Sequence, residues 1–170
     1  MPAEGVSFLP AESLLAPDEI EQVVRVAASL GVTHVKVTGG EPTMRRDLVD
    51  IVRRIGSVGG LECSMTTNGI QLARHARRLR EAGLTRATIS LDSIRPDRYA
   101  EITGGGRLEL ALGGLEAALE VFGGAKINVV VMRGVNDDEI GDFARLAVDR
   151  DLTVRFIEFM PLGSSQVLDG

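Results

Sequence analysis

Lysines on two candidate strands and a Gly-Gly-Glu-Pro turn are the first residues here that could do chemistry. Lys36 lies in "HVKVT" and Lys126 in "KINVVVM". Successive side chains of a strand point to opposite faces. Val35 and Val37 therefore share one face, and His34, Lys36 and Thr38 the other. By the same parity Ile127, Val129 and Val131 oppose Lys126, Asn128, Val130 and Met132. Ala87, Ile89 and Leu91 likewise oppose Thr88, Ser90 and Asp92, while Thr66 and Asn68 share a side in "MTTN". One face is apolar and the other is polar with two lysines. An uncompensated buried lysine is costly or loses its proton, so the polar face reads as a wet cavity that holds an anion. Arg155 is a further candidate for it. The alternative is that each lysine pairs with a carboxylate such as Asp92 or Glu62.

The turn "TGGEP" follows the strand that carries Lys36. Its glycines let the backbone approach a ligand closely, and Glu41 sets a carboxylate at the rim. That suits a cationic group such as an amino-acid ammonium. It is not a phosphate loop, which would lead a lysine and a helix N-terminus onto the phosphates. A plain connecting turn is the competing reading.

These residues need elements to hold them. Helical spacing recurs in "PDEIEQVVRVAASL", "RDLVDIVRRI", "QLARHARRLREAG", "RLELALGGLEAALEVF" and "DDEIGDFARLAVDR". Between them stand "THVKVT", "LECSMTTN", "RATISLD", "KINVVVM" and "TVRFIEFM", which read as strands. Strict alternation with short connections argues for an α/β fold with a parallel sheet, either doubly wound or part of a barrel. The distinctive residues fall at the strands' C-terminal ends, in "TGGEP", "TTNG", "SLDS", "MRGVND" and "EFMP". That is where such folds build their sites.

Bulk properties set limits. The 170 residues suffice for one domain with a sizeable core. A net charge of -5 argues against general nucleic-acid binding, but not against an anionic small ligand held by a few placed cations. No apolar run reaches membrane-spanning length, and no signal peptide is evident. The single cysteine, Cys63, excludes an internal disulfide, fits a cytoplasmic chain and reads as a small core residue. Neither His34 nor His75 has a partner at metal-ligand spacing.

Together "VKVTGGEPTMRRDL", "TTNG", "ATISLDS", "KINVVVMRGVNDDEI" and "VRFIEFMPLG" resemble the radical S-adenosylmethionine (SAM) enzymes of the GTP 3′,8-cyclase family, in molybdenum cofactor biosynthesis. The likeness runs in order from "EGVSFLP" to "FMPLG". It implies an incomplete, TIM-like (β/α)₆ barrel of parallel strands that turns GTP into its 3′,8-cyclised dihydroguanosine triphosphate. It also implies roles for residues. Gly40 and Glu41 would hold the methionine end of SAM, Ser90 would contact the same cofactor, and Met160 would lie against its adenosine part. Lys36, Thr66 and Lys126 would hold GTP. Lys36 stands where the family commonly has arginine, which keeps the charge and loses the bidentate fork.

The family's [4Fe-4S] cluster is held by a C-x₃-C-x₂-C loop that one cysteine cannot replace. The expectation is therefore a core fragment spanning residues 1–163 with a tail at 164–170. The first strand and cluster loop would be missing, Met1 would be an internal methionine, and the chain alone would be inactive. No catalytic residue and no metal ligand is expected within it. GTP is the expected partner, nucleic acid and membrane are not, and a homodimer is left open. Two alternatives stand beside this reading: a cluster-free nucleotide-binding paralogue, and an unrelated α/β phosphate-binding enzyme.

Overall fold

The computed structural model describes residues 13–148 and 150–160. The readings of Met1–Pro10 and of the 164–170 tail lie outside the described residues. The elements run α1 (Pro17–Ser29), β1 (His34–Val37), α2 (Leu48–Ser57), β2 (Glu62–Thr67), α3 (Leu72–Glu81), β3 (Leu84–Ser90), α4 (Pro96–Thr103), α5 (Leu108–Phe122), β4 (Ala125–Val131), α6 (Ile140–Ala147) and β5 (Leu152–Glu158). Short 3₁₀ turns cover Pro42–Met44 and Asp137–Glu139.

The five strands are all parallel, in the order β1-β2-β3-β4-β5. A doubly wound sheet needs a reversal of strand order, which puts helices on both faces. Among the described residues there is none, and one face alone is packed. Met65, Ile89 and Ile127 point to that face and are fully buried with Val52 of α2, Leu79 of α3, Leu115 of α5 and Phe143 of α6. The alternation resolves to a segment of a (β/α) barrel with helices outside and a polar wall inside.

α4 is the element that periodicity does not announce. In "PDRYAEIT" only Tyr99 is buried, so no apolar stripe marks it. Its signals are terminal: Pro96 in the first turn and Gly104 in the left-handed conformation at the end (φ 69°). Two helices begin later than their patterns suggest. α2 begins at Leu48, where its buried face begins, and α6 begins at Ile140 because the carboxylate of Glu139 turns into the core.

Candidate functional site

The polar wall is built in rows. Thr66 of β2 is in register with Thr88 of β3, Thr88 with Lys126 of β4, and Lys126 with Thr153 of β5. Strands lie about 4.8 Å apart, so Thr66 and Lys126 stand about 10 Å from each other across Thr88. One step toward the strands' C-terminal ends the row is Ser90, Asn128 and Arg155. One step toward their N-terminal ends it is Lys36, Ser64 and Arg86. Lys36, Thr66, Ser90 and Lys126 therefore share one wall, joined by Arg86 and Arg155.

Four cations on this wall act on one another. Lys126 titrates below the usual lysine range because of Arg155 first, then burial, then Arg86 and Lys36. The carboxylates offered as partners for the lysines are engaged elsewhere. Glu62 bonds to Arg86 and to His34 Nε2 at 2.9 Å, and Asp92 Oδ1 accepts the Val130 N–H at 2.8 Å. Among the described residues neither Lys36 nor Lys126 forms an ion pair. A cleft of about 230 Å³ opens at the lower end of the wall, lined by Arg86, Lys126, Asp151 and Thr153 among others.

The upper rim has two struts. The first is Glu41, whose Oε1 accepts the Thr43 N–H at 3.0 Å, the Thr43 hydroxyl at 2.6 Å and the Thr67 hydroxyl at 2.6 Å. Its Oε2 accepts the Asn68 N–H at 2.7 Å. Glu41 thus ties the "GGEP" turn to the "TTNG" turn, and only Oε2 keeps room for a further donor. Gly39, at φ 142°, makes the bend that leads into it.

The second strut joins the loops after β3 and β4. Asn136 Nδ2 donates to the carbonyls of Asp92 at 2.7 Å and Val130 at 2.9 Å, and Asn136 Oδ1 accepts the Met132 N–H at 2.7 Å. Glu139 is fully buried. It accepts the Ser93 hydroxyl at 2.8 and 3.0 Å, the Ile94 N–H at 2.8 Å and an Arg98 N–H at 2.6 Å. Asp92, in the loop after β3, is half-buried. Burial pushes its carboxyl up, and the Val130 N–H offsets part of that.

Gly40 and Met160 also lie at the C-terminal side, beyond β1 and β5, on opposite edges of the sheet. Met160 is 63% exposed. Gly40, Glu41, Ser90 and Met160 thus line the upper rim, with Lys36, Thr66 and Lys126 lower in the trough. Sequence reasoning missed Arg86 and the Glu139 strut, and it put Asn128 on the polar face without giving it a role. Arg86 and Asn128 carry a signal in strand parity, whereas Glu139 reads from sequence as an ordinary acid before a helix.

The wall's chemistry is polar and charged. Among the described residues one buried side-chain polar atom has no hydrogen-bond partner, Asn128 Oδ1, and it lies beside Ser90 on this wall. An orphan of that kind calls for an explanation such as an absent ligand. With the Oε2 of Glu41, this donor-seeking set fits the hydroxyls and ammonium of SAM. A four-iron cluster does not fit. Cys63 is buried on the helix side of β2, its thiol pushed up to about 11 by burial. The described residues hold no group of three metal-ligating side chains.

The sequence matches the Radical SAM superfamily over residues 5–147. It is 50% identical over 167 residues to a GTP 3′,8-cyclase of Limosilactobacillus fermentum, covering 97% of this chain and 50% of that protein. It is 49% identical to one of Listeria monocytogenes, covering 96% and 50%. The chain spans about half the length of these relatives. Among solved structures, methylornithine synthase superposes with a TM-score of 0.65 at 20% identity, over 86% of this chain and 45% of that one. A domain of a pyruvate-formate lyase-activating enzyme from Bacteroides vulgatus gives 0.64 at 17% identity, over 79% and 87%. These structures share the fold, a parallel α/β partial barrel.

Proposed function

The chain belongs to the radical SAM superfamily, and on that premise we propose that its inner wall binds the GTP and the SAM of a GTP 3′,8-cyclase. The observation that supports this most is the cationic wall itself. Lys36, Lys126, Arg86 and Arg155 converge, and the two lysines lack carboxylate partners among the described residues. Such a wall suits a triphosphate, whose charge would relieve the mutual repulsion of the cations.

In this reading Lys36, Lys126 and Arg155 take the phosphates, and Thr66 and Thr88 offer hydroxyls between them. Gly40 and Glu41 hold the methionine end of SAM, Ser90 contacts the same cofactor, and Met160 packs against its adenosine. Together with a reduced iron–sulfur cluster, bound SAM supplies one-electron chemistry for hydrogen abstraction. The cluster is assigned to no residue of this chain. The protein's part is to hold both nucleotides on one wall, and the struts at Glu41 and Glu139 keep that wall's rim in shape. A cytoplasmic location goes with this reading. No described helix is long and apolar enough to cross a membrane.

Calorimetry with GTP tests the binding. Lys126→Ala is expected to weaken GTP binding about ten- to a hundred-fold, as for loss of a charge-assisted hydrogen bond. Unchanged affinity would contradict the assignment. The pH dependence follows from the depressed lysine. Bound phosphate favours the protonated amine, so the complex holds that proton more tightly than the free protein does. Affinity is therefore expected to fall as pH rises through the window below 10.5, where the free Lys126 loses its proton. In Lys126→Ala that part of the pH dependence is expected to vanish.

A further inference from the structure

We propose that Lys126 is a modification site: its amine takes the acyl group of small acyl phosphates, which the neighbouring guanidiniums bind by the phosphate. The proposal goes beyond nucleotide binding, and only its consequence for GTP rests on that reading.

The cations of this chain are unevenly chosen. Lys36 and Lys126 are its only lysines, and every other Lys-or-Arg position is arginine. Arginine stays protonated and does not act as an amine nucleophile. The side-chain amines of the chain therefore stand together on the inner wall. Lys126 is the better placed of the two. It is in register with Thr88 on one side and Thr153 on the other. Arg86 lies two residues before Thr88, and Arg155 two residues after Thr153, each on the same face. Both start from a Cα about 8 Å from that of Lys126, within reach of such long side chains.

A nucleophilic amine must be neutral. Arg155 above all, then burial, then Arg86 and Lys36 favour loss of the Lys126 proton. The acid that lines the cleft with Lys126 is Asp151, and its carboxylate lies against Gly124. The phosphate of an acyl phosphate is a dianion suited to two guanidiniums and the Thr153 hydroxyl. The cleft of about 230 Å³ that Arg86, Lys126 and Thr153 line leaves room for a short acyl chain. The step balances without an oxidant or a reductant. The Lys126 nitrogen bonds to the acyl carbon, and the bond from that carbon to the phosphate oxygen breaks. The bonding pair stays with phosphate, and the amine proton passes to it, which leaves an amide and hydrogen phosphate. The cations that hold the reagent also stabilise the charge on the departing group. This favours an acyl phosphate over a phosphate-bearing aldehyde, in which the group held by the cations does not leave. The amide is uncharged, so acylation removes one of the wall's four cations.

The 170-residue chain is incubated with acetyl phosphate, and acetyl-lysine is quantified by mass spectrometry at both lysines. Lys126 is expected to react about ten-fold faster than Lys36. Its rate should saturate with reagent and fall when inorganic phosphate is added. Acetic anhydride, which carries no phosphate, should prefer Lys126 less. Arg155 is exposed, so Arg155→Gln leaves the core untouched. That variant is expected to slow Lys126 and to move its pH–rate profile up toward that of an ordinary lysine. Equal rates at the two lysines overturn the proposal. So does a Lys126 rate that is linear in reagent and indifferent to phosphate, or one that Arg155→Gln leaves unchanged.

GTP tests the consequence separately. It is expected to protect Lys126, and the acetylated chain is expected to bind GTP about ten-fold more weakly. Protection by inorganic phosphate but not by GTP supports the modification site and overturns the nucleotide-binding reading. An unreactive Lys126 in a chain that binds GTP overturns the proposal and leaves that reading intact.

Discussion

Glu139→Ala is expected to cost about 3 kcal/mol of stability, at the lower end of the 3–5 kcal/mol seen when one member of a buried ion pair is removed. The side chain has no exposed surface and receives bonds from Ser93, Ile94 and Arg98. Its removal leaves the Ile94 N–H and the Ser93 hydroxyl without that acceptor in the core. Two features moderate the loss. Arg98 keeps Asp138 at 2.6 Å, and its side chain is 25% exposed, so its charge reaches water. Glu139→Gln keeps an acceptor for Ile94 and is expected to cost about 1–2 kcal/mol. Urea unfolding of the three proteins provides the comparison. A loss below about 1 kcal/mol for Glu139→Ala would show that the strut carries little of the fold. GTP affinity should fall in parallel, because the same strut positions the loops that follow β3 and β4.

Adjacent glycines in α5 are expected to respond to alanine with opposite signs. A Cβ on Gly113 meets nothing within 4 Å. Gly113→Ala therefore gains helix propensity without a clash and should stabilise by about 0.5–1 kcal/mol. A Cβ on Gly114 would lie 2.1 Å from the carbonyl oxygen of Gly69 and 2.8 Å from its carbon. Backbone cannot rotate aside, so α5 or the "TTNG" turn must move. Gly114→Ala should cost about 1–3 kcal/mol as an overpacked contact, which outweighs its gain in propensity, and Gly114→Val should cost more. Gly69 itself has φ 80° and lies with Ile89 Cγ2 and the Ala111 carbonyl close around it. This contact sets the depth of the turn that follows Thr66. Thermal unfolding measures both variants, and equal signs would refute the contact.

Much of this is legible in the sequence. Side-chain parity separates Lys36, Thr66, Ser90 and Lys126 from the apolar face, because alternation is a local property of a regular strand. It did not show which of them share a row. Row identity depends on register, and register shifts at Cys63 and Ser64, where β2 pairs first with Leu84 and then with Arg86. Parity puts Arg86 on the wall, but that irregularity sets it beside Ser64, and nothing local in the sequence marks the shift. The role of Glu41 was only half legible. "GGEP" announces a rim turn, but the partners Thr67 and Asn68 lie 26 and 27 residues on, at the end of the neighbouring strand. Glu139 was illegible for the opposite reason. An acid before a helix normally faces water, and its burial is set by Ser93 and Arg98, which lie more than 40 residues earlier.

The central claim is that the inner wall, and not the helix side, is the nucleotide surface. Amide chemical shifts recorded by NMR during a GTP titration test it most directly. The largest changes are expected at Thr66, Thr88, Lys126, Asn128 and Arg155, with little change along the outer faces of α2, α3 and α5. Changes centred on those helices, with the wall silent, would contradict the account.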